Sequence, residues 1–149
     1  MKIASLKKAF ITALISISAG HAGIALAHSG GGIIDPGSNN ASATDLAAVT
    51  CGPGTHHLSA QVKDISGPVP GLLLSLHLYK GNQMTTSTDA ISGDANYSPP
   101  ISLNAGQGVY YMSLTKTNIG GRQFDVIWHC MAGDDATHTE TDISVVQFQ

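Results

Sequence analysis

What this sequence lacks most is charge: Asp, Glu, Lys and Arg together supply only 11% of it, against about 25% in ordinary globular domains. Basic residues are the scarcest. Beyond the first eight positions only Lys63, Lys80, Lys116 and Arg122 remain, and no two are adjacent. A nucleic-acid binder needs clustered Lys and Arg to neutralise phosphate, so nucleic acid is excluded as a partner. Anionic membrane surfaces are disfavoured on the same ground.

Enzyme signatures are missing as well. There is no Gly-x-Ser-x-Gly elbow, no His-Glu-x-x-His, no phosphate loop and no dinucleotide fingerprint. Glu140 is the single glutamate, so a glycosidase-type carboxylate pair would have to use aspartates alone or Glu140 with one of them. These absences point away from catalysis.

Long apolar runs are also absent. The longest, Ala9 to Ala19, has 11 residues and ends at Gly20 and His21. A membrane-spanning helix needs about 20 mostly apolar residues. Lys2, Lys7 and Lys8 precede this run and Ala25-Leu26-Ala27 follows it, which is the layout of a cleaved secretory signal. Residues 1–27 are therefore expected to be removed, leaving no stable membrane span and a periplasmic or secreted protein. Losing three lysines takes the formal charge from −3 to −6, with four basic residues against ten acidic ones.

Cysteine is limited to Cys51 and Cys130. In an oxidising compartment such a pair is expected to form a disulfide; a metal-bound thiolate pair and free thiols are the alternatives. Without Cys-x-x-Cys spacing, a redox-active pair is not indicated. Closing a loop of 79 residues is worth about 4 to 4.5 kcal/mol on chain-entropy arithmetic.

What is present is a succession of β-patterns. Leu58, Ala60 and Val62 alternate with polar residues, as do Phe124, Val126, Trp128 and Cys130, the period-2 signature of strands with one buried face. In Gly71 to Lys80, four leucines fall in one phase. Leucine propensity would suit a helix, but Pro70, Gly81-Asn82 and the alternation favour a strand. Further strands are expected at Leu46 to Cys51, Gln83 to Ile91, Val109 to Thr117 and Ile143 to Phe148, with Pro99-Pro100 confining any strand there to an edge.

Six to seven short strands without a helix predict an antiparallel β-sandwich with one disulfide, immunoglobulin-like in a generic architectural sense. Such an analogy carries no function. The domain spans residues 46–149. Residues 28–45, rich in Gly, Ser and Asn, are expected to form a flexible arm that could add a strand to a neighbour's sheet.

Six histidines follow the expected cleavage site: His28, His56, His57, His77, His129 and His138. A chain starting at His28 presents an α-amine and an imidazole together, a chelate suited to Cu(II). Strand phase points His77 and His129 outward, where they share a surface if their strands are neighbours. His138 lies in the loop that follows. His28, His77, His129 and His138 are thus the candidate metal ligands, and copper the candidate cofactor. One of His56 and His57 is expected to cap the core and the other to be solvated. Asp89, Asp94 and Asn96 supply oxygens of the kind calcium takes, but without the twelve-residue calcium-loop spacing; they are expected to be solvated turn residues. The function expected from these features is non-enzymatic binding or assembly outside the cytoplasm, by self-association or with another extracellular protein. Copper binding is the alternative.

Overall fold

A computed structural model describes residues 28–94 and 96–149; the expected signal segment lies outside them. Among the described residues, nine strands form two antiparallel sheets. In chain order they are β1 (His28–Ile34), β2 (Thr44–Cys51), β3 (His57–Asp64), β4 (Leu74–Lys80), β5 (Gln83–Thr88), β6 (Ile101–Leu103), β7 (Gly108–Lys116), β8 (Arg122–Met131) and β9 (Thr141–Gln147). One sheet runs β1-β8-β3-β6 and the other β5-β4-β7-β2-β9. Among the described residues no helix is long and apolar enough to cross a membrane.

The alternation seen in the sequence sets the inner faces. Leu58 and Val62 on β3, Leu74, Leu76 and Leu78 on β4, and Cys130 on β8 are fully buried, with Phe124, Val126 and Trp128 nearly so. The leucine run is a strand because its apolar positions repeat every two residues; as a helix it would scatter them around the axis. Gly81, at φ 60°, makes the tight turn into β5, a conformation glycine adopts without a Cβ penalty.

Two strands exceed the six to seven expected. β6 is a three-residue edge strand following Pro99-Pro100. The other is β1, and it revises the expected arm: His28 to Ile34 pairs with β8 in continuous register, from His28 opposite Trp128 to Ile34 opposite Arg122. Glycines at 30 to 32 hide the strand signal, because a strand face without side chains shows no alternation. Strand β2 likewise starts at Thr44, inside the segment expected to be arm.

Cys51 and Cys130 are joined, with their Cα atoms 5.5 Å apart. The bond links β2 in one sheet to β8 in the other, and Trp128 lies in the same buried cluster.

Two ion pairs lie at one end of the sandwich. Asp64, fully buried, accepts from Arg122 Nε at 2.9 Å and Nη2 at 2.5 Å, and Arg122 also donates to the Gly67 carbonyl. Asp89 was expected in a solvated turn, but it is 4% exposed and accepts the Asp64 backbone N–H at 2.8 Å. Packing of the 89–92 turn against β3 is what buries it. Lys116 Nζ donates to Asp35 Oδ2 at 2.8 Å and to the carbonyls of Asn40 and Asn118 at 2.7 Å, tying the β1–β2 connection to the β7–β8 loop. Lys116, with N–H groups of Asn39, Asn40 and Gly120, holds the Asp35 carboxyl down at about 2, although burial opposes the shift.

Three outcomes follow for stability. Cys130→Ala should cost about 2 to 5 kcal/mol by denaturant unfolding, from the lost cross-link and a cavity beside Trp128. Arg122→Met leaves Asp64 buried without its cation and should cost about 3 to 5 kcal/mol. The Asp35 carboxyl titrates lower folded than unfolded, so its contribution is complete above the ordinary carboxylate pKa of 3.8 and disappears as pH falls through about 2. The stability gap between the wild-type chain and Asp35→Asn should therefore be flat above pH 4 and close between about pH 4 and 2.

Candidate functional site

The β1–β8 register gives the histidines their arrangement. Because His28 lies opposite Trp128, the α-amine of a chain starting at His28 would emerge beside the next residue on β8, His129. On this register His28 shares Trp128's side of the sheet, its ring centroid 6.3 Å from the indole, and His129 takes the outer side.

His138 completes the corner. A bridge between Met131 and His138, and a hydrogen bond from Thr139 N–H to the Cys130 carbonyl at 2.8 Å, fold the loop back over β8. The His138 ring then lies 4.5 Å from that of His129 at 33°. Burial lowers the pKa of His129, and charges on His138 and His28 lower it further. These effects favour the neutral imidazole, the form that binds metal.

Nδ1 of His28 and Nδ1 of His129 are both buried without a hydrogen-bond partner. An unmet polar group of this kind costs about 1 to 3 kcal/mol. Among the described residues no three His, Cys, Asp or Glu side chains converge as a metal cage. Joining these imidazoles on one ion requires side-chain rotation at the strand end.

Two more histidines border the same face. His57, on the outer side of β3, is 6% exposed, and its Nε2 is 3.6 Å from Asp135 Oδ1. His56 is exposed, with its Nδ1 3.4 Å from Nδ1 of His57; His56 meets solvent as expected, but His57 is buried against the outer face of β3 and does not cap the core. With His129 and His138 they line an open depression of about 460 Å³. The phase of His57 opposite Leu58 was visible in the sequence, but the pairing of β3 with β8 was not.

His77 does not join them. Its strand β4 belongs to the other sheet, so the outer surface it was expected to share with His129 does not exist. Its Nδ1 lies 3.0 Å from Thr86 Oγ1 and its Nε2 2.9 Å from Thr115 Oγ1. Both ring nitrogens are engaged by hydroxyls, and burial lowers its pKa.

No known family model matches the chain, and comparison with curated proteins gives no match.

Proposed function

We propose that the chain is exported, loses residues 1–27, and acts without catalysis as a copper-binding protein of the periplasm or cell exterior. The observation that carries this reading is the strand end where His28 and His129 each present an unpartnered Nδ1, with His138 against His129. Cu(II) would take the His28 amine, the His28 imidazole and the imidazole of His129, with His138 as the neighbouring donor. Amine and imidazole nitrogens suit copper. An acidic mature chain, with ten carboxylates against four basic side chains, favours the approach of a cation. Assembly through a donated arm has less support, because residues 28–34 are already paired within their own sheet.

Exported protein whose N-terminus is verified as His28 should bind one equivalent of Cu(II), with nitrogen coupling in its spin-resonance spectrum. His129→Ala should weaken binding at least tenfold, whereas His77→Ala should leave it unchanged. Placing one extra alanine before His28 should abolish the tight site. Equal affinity with a blocked N-terminus would reduce the binding to that of scattered surface histidines and refute the reading.

A further inference from the structure

The sandwich is open along one side, between the edge strands β1 and β9. Their backbones meet near one end, where Asp35 N–H donates to the Gln149 carbonyl at 2.7 Å. Elsewhere they enclose a cleft of about 320 Å³. Its size falls within the range of small-molecule sites.

The glycines of β1 shape this space. Gly30 and Gly32 share the phase of His28 on the inward side. A Cβ on Gly30 would come within 3.2 Å of Trp128, and one on Gly32 within 2.7 Å of Phe148. Bare backbone on β1 therefore leaves the aromatic rings to form the wall, with Phe124, Met112 and Ile143 around them.

Besides Ser29 and Gln147, the lining holds two buried polar groups without a partner. Asp45 is 6% exposed; its Oδ1 accepts Gln149 N–H at 2.8 Å, while Oδ2 is buried with no partner. Trp128 is 5% exposed and its Nε1–H is likewise unpartnered. Both residues line the cleft. An apolar cavity with a few unmet polar groups is the chemistry of a ligand site.

We propose that this cleft binds a small apolar molecule bearing one hydrogen-donating head, an amine or an alcohol, which Asp45 receives while the apolar body lies against Trp128. A hydroxyl donates to Oδ2, and an ammonium also neutralises the carboxylate. Burial raises the pKa of Asp45, the direction expected where the carboxylate lacks a cation. An anionic head would meet like charge in a water-poor site and be rejected. None of the candidate metal ligands lines the cleft.

Trp128 is the single tryptophan, so its fluorescence reports the cleft directly. The mature protein, with chelator present, is titrated with 1-hexylamine, 1-hexanol and hexanoate. Saturable changes are expected with the amine and the alcohol, and binding at least tenfold weaker with hexanoate. Asp45→Asn should weaken hexylamine at least tenfold while sparing hexanol, and Ala47→Leu, which extends a side chain into the cleft, should weaken both. His77→Ala, on β4 and away from the cleft, should leave all three unchanged. The wild-type head-group series decides the matter even if a variant folds poorly. No saturable response to amine or alcohol, or hexanoate binding as tightly as hexylamine, would overturn the proposal. So would a dimer closed through this face, seen by light scattering and insensitive to all three compounds.

Discussion

Strand β8 is the constraint on which the rest of the structure depends. Its inward residues reach across the sandwich, and Cys130 is bonded to β2 of the opposite sheet. Its two long edges pair with β1 and β3. The disulfide therefore fixes more than the spacing of two sheets: it holds the strand that orients His129, seats Trp128 and gives β1 its register. A chain of this size buries a limited core, and a covalent link between the last residue of β2 and the next-to-last of β8 limits how far the sheets can slide.

Scarcity of charge makes the placement of each ion matter. Of the four basic residues beyond the expected leader, Lys116 and Arg122 are buried. Each is spent inside, on Asp35 and Asp64 with several backbone carbonyls around them. Fully satisfied networks of this kind fix loop positions, whereas a half-satisfied one would destabilise the fold. The consequence for the exterior is that much of the positive charge is hidden, while Asp134, Asp135 and Glu140 lie on exposed segments. Both proposed ligands, a copper ion and an amine or alcohol, suit a molecule whose accessible charge is mostly negative.

One short strand, β1, borders both proposed sites. The glycines of β1 are poor strand formers, yet their lack of side chains lets the strand lie close against Trp128 and Phe148 and opens the cleft. The same pairing carries His28 to the end of β8 beside His129. A bulkier edge strand would fill the cleft, and an unpaired one would leave the α-amine of His28 without a fixed neighbour.

From the sequence alone came the all-β class, the inward faces of β3, β4 and β8, and the pairing of Cys51 with Cys130. Each rests on local information: period-2 alternation, turn residues, and a count of two cysteines. His28, His129 and His138 were also legible as candidates, by type and phase. Only the tertiary structure decided which sheet holds each strand, and so separated His77 from the other histidines. It alone showed that residues 28–34 are a strand, that Asp89 is buried, and that Asp45 and Trp128 share a cleft. The physical reason is that strand pairing and sheet packing join residues far apart in the chain. Alternation tells which way a side chain points, but not what lies across from it.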